Sequence, residues 1–558
     1  VKDENGELLP GVTVLLKGTS VGCASDMNGK FTITVPEGGK SVLEFTFIGM
    51  KKIEMPVKDA KPLSVTMEAE VESMDEVVVN GLFTQKKNSY TGAVTSVKGE
   101  ELLEVSSTNV LKALAFLVPG MHIVENNEQG SNPNAIPEII LRGTTALPVN
   151  GEYGLNTPLI ILDGVEISLE DLYDLNMQDI EHIDVLKDAS AKAIYGEKAA
   201  NGVIVVETVK PEAGKLQVSY TGNMNLSMPD LSSYNLMNSR EKLEFELLAG
   251  RYDPVNWSTT NEVELTRLYN EKLKKIESGV NTYWLAEPLR VGVNQKHSLY
   301  VQGGEGNFLF GLGAGYNGIS GVMEKSERDV ISGNIDLIYR MSKFQFSNKF
   351  SLTSTHFKNP IVAFSAYAAA NPYYKKYNDE GTVDKWLEYN DYFKASNPLW
   401  NASQNSRDKG NNLLLSNYFM AEYFPTTEWR VRARLGLTYG NDDTEKFYSR
   451  NDTRYENVET TKKGEFHSNN VRTNQVEAEL SVTYAKVLGK HRINLVAGGN
   501  ISSNKSLTQG YSAVGFPDGD FSYPSFSNGY PENGTPTYYE SVSRSVNGYF
   551  NTGYSFDD

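Results

Sequence analysis

Residues 429–439 read WRVRARLGLTY. In an extended chain, successive side chains point to opposite faces. Trp429, Val431, Ala433, Leu435, Leu437 and Tyr439 then share one face, and Arg430, Arg432, Arg434, Gly436 and Thr438 share the other. The pattern recurs in Phe308, Phe310, Leu312, Ala314 and Tyr316, opposed by Gly311, Gly313 and Gly315. It returns in Val476, Ala478, Leu480, Val482 and Tyr484, opposed by Glu477, Glu479 and Ser481. The apolar faces often begin or end on an aromatic residue. Strands of about 9 to 11 residues, apolar outside and polar inside, with aromatic ends, are the pattern of a transmembrane β-barrel.

A soluble sandwich with one wet face alternates too, so connection lengths decide. Gly304-Glu305-Gly306, Met341-Ser342-Lys343, Pro425-Thr426-Thr427 and Leu488-Gly489-Lys490 read as tight turns. Between them lie longer connections, at 227–297, 318–329, 357–412, 440–474 and 502–542. Strict alternation of short and long connections is the barrel arrangement, with short periplasmic turns and long outer loops. Residues 214–558 therefore read as about ten barrel strands. Arg430, Arg432 and Arg434 are candidate lumen-facing residues, with plug carboxylates as expected partners.

The totals agree. The chain has 558 residues, a net charge of −17 and one cysteine, Cys23. Such acidity argues against a nucleic-acid partner, because phosphate contacts need Lys and Arg. One cysteine excludes an internal disulfide framework and a Cys-based zinc cluster. The six histidines are scattered, so metal or histidine chemistry is not expected and no cofactor is implied. No apolar run is long enough for a membrane helix. Mean hydropathy is −0.40, a value that strand-spanning proteins share with soluble ones. The first residue, Val1, reads as a late start just after a turn.

Upstream of the strands the character changes twice. Residues 1–69 are short strands between turns: Val12 to Lys17, Lys30 to Val35, Ser41 to Phe47, Lys51 to Val57 and Leu63 to Met67. That is a small β-sandwich. Residues 70–82 form a linker around SMDEVVVNG at 73–81. Three adjacent valines want an extended strand, yet nothing nearby looks like a partner for them. Residues 83–213 mix helix and strand. SSTNVLKALAFLVPG reads as a helix capped at Ser107 or Thr108 and stopped by Pro119-Gly120. PEIILRG and TPLIILDGV read as strands ending in turn residues. DIEHIDVLKDASAKAIYGEKAANGVIVVET reads as strand, short helix, strand, with Asp188 as cap and Gly196 as the left-handed end. Compact, about 130 residues measure about 35 Å across. Ten strands cannot enclose that, whereas barrels of about 22 strands hold plugs. The barrel is therefore expected to be incomplete in this chain.

This order of parts resembles the SusC-like TonB-dependent outer-membrane transporters of Bacteroidetes. DENGELLPGVTVLLKGTSVGCASDMNGKFTITVP resembles their carboxypeptidase-regulatory-like domain, which carries no catalytic group. MDEVVVNGLFTQKKNSYTGAV resembles their TonB box and plug entry, which implies a TonB box at Met74, Asp75, Glu76, Val77, Val78 and Val79. Plug motifs match at Arg142, Gly143, Asp163, Gly164, Lys187, Asp188, Tyr195, Gly196, Asn201 and Gly202. NPYYKKYNDEG at 371–381 resembles a recurring loop stretch. Glu197-Lys198 departs from the family's usual small or arginine-containing residues.

The resemblance implies a mainly β fold: a sandwich, an α/β plug, and the first part of a plugged barrel of about 22 strands. It implies energised import of an oligosaccharide, or of a peptide, and no enzyme activity. Its implied partners are TonB with ExbB and ExbD, a SusD-like surface lipoprotein acting as a lid, and outer-membrane lipid. A dimer of transporter–lid pairs is one assembly it admits. The expected location is the outer membrane, with the N-terminal domain in the periplasm. Strand addition to a TonB sheet edge would give the valines their partner. Loop aromatics Tyr373, Tyr374, Trp386 and Tyr389 are candidate substrate contacts, since flat rings suit sugar faces. A signalling receptor would need a dedicated module before the TonB box, and the sandwich does not look like one. An adhesin has no use for plug and TonB box together, and no nucleophile–base constellation marks an outer-membrane enzyme.

Overall fold

The computed structural model describes residues 94–106, 109–124, 132–141, 156–187, 199–257 and 261–556, except 427 and 489. Before residue 94 it describes 2–3, 12–17, 22–25, 29–35, 41–47, 50–57, 63–67, 77–79 and 84–86. The chain divides into two units: Val1–Val78 with Thr84–Tyr90, and Val79–Phe83 with Thr91–Asp558.

The first unit holds a four-stranded sheet of β1 (Thr13–Leu16), β2 (Gly22–Ala24), β3 (Ser41–Phe47) and β4 (Met50–Val57), in the order β2-β1-β3-β4. Its core is Val12, Val14, Leu16, Leu43, Phe45, Val65 and Met67, with Phe31, Ile33 and Val35 packed against it. Alternation of apolar residues along β1 and β3 makes this one-sided core. Residues 31–35 pack as expected but join no strand. Of the strand expected at 63–67, only Thr66–Met67 pairs, in parallel with Lys2–Asp3.

The valines have a local partner after all. β5 (Val77–Val79) pairs with β6 (Thr84–Lys86) in a two-stranded sheet of its own. The sequence between them carries Asn80-Gly81, a pair favoured in hairpin turns. The expectation of no nearby partner overlooked that signal.

The plug is a five-stranded sheet with helices. Its strands are β7 (Val94–Lys98), β10 (Leu159–Leu162), β11 (Val165–Ile167), β12 (Ile180–Leu186) and β13 (Val203–Thr208), ordered β11-β10-β13-β12-β7. Helices α1 (Gly99–Val105) and α2 (Val110–Leu117) pack their apolar residues on it, and β8 (Met121–Val124) pairs with β9 (Glu138–Leu141) beside it. β13 is buried almost throughout and reads as a nearly continuous apolar run, while β12 buries five of its seven residues, Asp184 among them. The cap of α2 is Asn109, whose side chain accepts from the Lys112 N–H at 3.0 Å. It lies one or two residues after the expected position, because Asn109 is itself a strong capping residue.

The third part is a ten-stranded antiparallel sheet, each strand paired with its neighbours in chain order. It runs β14 (Gly214–Ser227), β15 (Gly292–Glu305), β16 (Phe308–Ser320), β17 (Glu327–Met341), β18 (Phe344–Asn359), β19 (Arg407–Tyr423), β20 (Trp429–Tyr448), β21 (Glu465–Leu488), β22 (His491–Val514) and β23 (Thr537–Phe556). Large apolar side chains on one face are open: Leu435 is 42 % exposed, Leu437 46 % and Leu480 57 %. The opposite face is polar and packs against the plug. This is the inverse of a water-soluble sheet and the arrangement of a barrel wall in lipid.

The strands are longer than expected, up to 24 residues in β21 and β22. The polar runs at both ends of the expected loops pair as well: Asp443 lies opposite Asn470, and Glu445 opposite Ser468. Strand pairing needs backbone partners, not apolar side chains, so it continues beyond an apolar band. The connection expected at 318–329 accordingly shrinks to the residues between Ser320 and Glu327.

The segment between β14 and β15 contains helices α4 (Ser239–Leu248) and α5 (Glu262–Glu277). With residues from the segment between β18 and β19, they form an apolar core of their own around Leu243, Leu265, Leu268, Trp284 and Phe393.

Candidate functional site

The site lies where the plug meets the polar face of the strands. Asp163 and Gly164 form the two-residue turn between β10 and β11, with Leu162 paired to Val165. Both have positive φ, 48° and 88°. That combination is the hairpin turn that Asp-Gly favours. A Cβ on Gly164 would overlap the Arg434 guanidinium, so only glycine permits this approach.

The turn is held from the wall. Asp163 accepts from the Thr208 N–H at 2.9 Å and from its hydroxyl at 2.7 Å, and pairs with the Lys349 ammonium at 2.8 Å. Lys349 stands on β18 opposite Asp336 of β17, with its Nζ 3.7 Å from that carboxylate, and also donates to the Thr208 hydroxyl. Burial opposes ionisation of Asp163, but Lys349 and the Thr208 donors hold its carboxyl below its ordinary value.

A second anchor sits further along the same wall. Helix α3 (Leu169–Asp174) is capped by Ser168, which accepts from the Asp171 N–H at 3.1 Å. Glu170 and Asp174 are four residues apart and so share a face. Both meet Arg328 of β17, which is 1 % exposed. Arg328 donates to both oxygens of Asp174, at 2.8 and 2.6 Å, and to Glu170 at 2.9 Å. Thr355 of β18 donates to Asp174 at 2.8 Å. Amides extend the seam. Asn134 donates to the Glu327 and Lys358 carbonyls at 3.1 and 2.9 Å, and Asn132 donates to Asn359 at 2.9 Å. Asn176 donates to Ser298 of β15 at 2.9 Å. Asp179, also on the plug, is pushed up to about 6 by burial, against the pull of Lys349 and Lys296.

Next to this seam, and sharing Asn134 and Glu170 with it, lies a cavity of about 1180 Å³. Plug residues 134–138 and 166–171 contribute to one wall, and β19 to β23 form the other, with Asn412, Thr438, Thr473, Asn504 and Ser543 among the lining residues. Among the described lining residues, six carboxylates, Glu138, Glu166, Glu170, Asp171, Asp442 and Glu477, are joined by no Lys, Arg or aromatic residue.

Several expected site residues are placed differently. Arg430, Arg432 and Arg434 lie on the polar face, and among the described residues the carboxylates that meet them are on neighbouring strands. Arg432 meets Glu422 at 3.0 Å, Arg430 meets the same group at 3.9 Å, and Arg434 pairs with Glu479. Arg432 is in register with Glu422 and Arg434 with Glu479, and the Arg434 guanidinium also lies against the plug at Gly164. Tyr373 and Tyr374 are 0 % and 2 % exposed. Their rings complete the core under α5, and Tyr373 donates to Glu246 at 2.9 Å. They have no face to offer a substrate. Trp386 and Tyr389 lie together, 4.7 Å between centroids, and Tyr389 is 45 % exposed.

Lys187 and Asn201 act within the plug. Lys187 donates to the Thr95 hydroxyl at 3.0 Å and the Pro119 carbonyl at 2.6 Å. Asn201 donates to the Thr157 carbonyl at 3.4 Å, and Gly202 has a φ of 97°. Met74, Asp75, Glu76, Arg142, Gly143, Asp188, Tyr195 and Gly196 lie outside the described residues, as do the side chains of Val77 to Val79. Arg328 and Lys349 escaped the sequence reading. Strand parity could have found Lys349: Lys349, Ser351, Thr353 and Thr355 alternate with Phe346, Phe350 and Leu352.

An α/β plug bonded to the polar face of outer-membrane barrel strands defines a TonB-dependent receptor. Residues 86–203 match the TonB-dependent receptor plug domain, and residues 1–79 match the CarboxypepD_reg-like domain. The TonB-dependent receptor SusC of Bacteroides thetaiotaomicron is 29 % identical over 429 residues, 74 % of this chain and 40 % of the relative. The TonB-dependent receptor P26 of Formosa agariphila is 25 % identical over 547 residues, 94 % of this chain and 51 % of the relative. The RagAB peptide transporter structure aligns with a TM-score of 0.69 at 19 % identity, over 84 % of this chain and 54 % of that one. The chain is similar to the SusC-like TonB-dependent receptors, and it spans about half the length of these relatives.

Proposed function

We propose that the protein imports a nutrient across the outer membrane, driven by TonB and covered by a SusD-like surface lipoprotein. The observation that supports this most is the pairing of a polar chamber with a plug held in place by side-chain bonds. These bonds join separate elements of plug and wall rather than fusing them into one apolar core, so part of the plug can move without unfolding the wall. TonB, energised by ExbB and ExbD, pulls on Met74 to Val79. The strand β5 is already extended, and a two-stranded sheet leaves an edge for a further strand. In this reading the N-terminal unit lies in the periplasm and the loop helices α4 and α5 face outward.

The cargo is a neutral oligosaccharide. The six carboxylates among the described lining residues repel anionic cargo, and the hydroxyl and amide lining suits sugar hydroxyls. Trp386 and Tyr389 supply loop aromatics. A peptide is the second reading, favoured by the lack of aromatic residues among the described lining residues. No covalent chemistry is involved.

Growth of the host on maltooligosaccharides and on casein peptides, with the full-length protein and with residues 74–80 deleted, tests the proposal. Growth on one of the two should be lost with the deletion. Equal growth on both, with and without the deletion, would contradict import.

A further inference from the structure

The plug is flanked by two unlike surfaces, and the difference bears on where cargo moves. Toward β15, β17 and β18, polar side chains interlock across the seam. Arg328 is 1 % exposed and grips two plug carboxylates on helix α3, while Thr355, 2 % exposed, donates to one of them. Lys349 holds the Asp163 turn, Asn176 holds Ser298, and Asn134 reads three groups along the strand ends. Toward β19 to β23 the plug meets β20 where Gly164 lies against the Arg434 guanidinium, and beyond that contact plug and wall border the half-open cavity of about 1180 Å³.

These two surfaces differ in what separation would cost. Withdrawing α3 from Arg328 strands a buried guanidinium and two carboxylates, a change that is strongly unfavourable when one partner is lost. Groups that line a cavity are already open to water, so widening the gap there exposes little that is new. A pull on the plug therefore finds its least resistance on the cavity side. We infer that the plug stays docked on β15, β17 and β18 during transport, and that cargo passes along the inner wall of β19 to β23. Arg328 and Lys349 are then positioning residues that fix which side opens.

The route predicted below the cavity follows β21 toward its short turn, past Ser481. Ser481 is 5 % exposed and lies in register with Arg432, on the same polar face as Glu477. On the docked side, Ser298 is also 5 % exposed. This inference rests on the TonB-driven reading above, and its test needs no known cargo.

Ser481→Cys and Ser298→Cys are each placed in the full-length protein, with Cys23, the chain's single native cysteine, replaced by serine. Cells in rich medium are treated with membrane-impermeant biotin-maleimide, with residues 74–80 present or deleted. Labelling at Ser481→Cys should be at least threefold faster when 74–80 is present, and labelling at Ser298→Cys should stay slow in both. The inference is overturned if Ser298→Cys gains labelling that depends on 74–80, or if Ser481→Cys gains none. Ser543→Cys, an exposed residue of the cavity lining, should label in every case and confirms that the protein is folded and reachable. Failure of the import reading itself shows differently, as growth that ignores the deletion.

Discussion

The two flanks of the plug use the same polar residue types for opposite ends. On the β17–β18 flank, charges and amides are buried and paired across the seam, with Arg328 bound to both oxygens of Asp174. On the β19–β23 flank, hydroxyls, amides and carboxylates line open space. A polar lumen is thus not uniform: where it is dry it anchors, and where it is wet it can admit cargo. The same contrast holds for apolar residues. Leu435 and Leu437 stand open on the lipid side, while Tyr373 and Tyr374 are sealed in a core under α5.

The strongest challenge to this contrast is Arg328→Met. It leaves Asp174 and Glu170 without their cation, and breaking a buried pair costs about 3 to 5 kcal/mol. Thermal unfolding in detergent should fall markedly, and protease should reach the plug. An unchanged melting temperature would remove the anchor flank. Lys349→Met should cost less, about 1 to 3 kcal/mol, because Asp163 keeps both Thr208 donors.

The next effect is one of pH. Asp179 has a carboxyl raised to about 6 from its ordinary 3.8. The folded form therefore binds the proton more tightly than the unfolded chain does. Its contribution is fully present below about pH 4 and is lost as pH rises through about 6, an effect on the order of 2 kcal/mol. Denaturant unfolding between pH 4 and 7 should show this slope, and Asp179→Asn should flatten it. The smallest change in stability belongs to the chamber. Thr438→Trp should alter unfolding by less than about 0.5 kcal/mol, yet slow uptake about tenfold by filling the passage. A large loss of stability there would mean that this flank is packed rather than open.

Much of the fold was legible because strand periodicity is strict. A period of two marks an inward and an outward face residue by residue, so WRVRARLGLTY showed the two faces and the alternation of short and long connections set the class. The Asp163-Gly164 turn was legible because only a few residue pairs accept positive φ twice in succession. The anchors were harder. Arg328 meets a helix more than 150 residues earlier in the chain, and nothing local in SERDV marks it. The burial of Tyr373 likewise depends on Glu246, 127 residues away. Helices α4 and α5 went unread because the segment around them was weighed only for its length. The cross-strand pairing of Arg432 with Glu422 and of Arg434 with Glu479 was not legible, because register depends on turn geometry as well as on a strand's own pattern.

The most direct test of the import account is to extract the full-length protein from outer membranes in mild detergent through a tag. Mass spectrometry would then identify every co-purifying chain and small molecule. The account predicts a membrane-embedded complex with a SusD-like surface lipoprotein and a retained neutral glycan, or a peptide under the second reading. A protein recovered from the water-soluble fraction, alone and without a lipoprotein, would contradict the barrel and the function built on it.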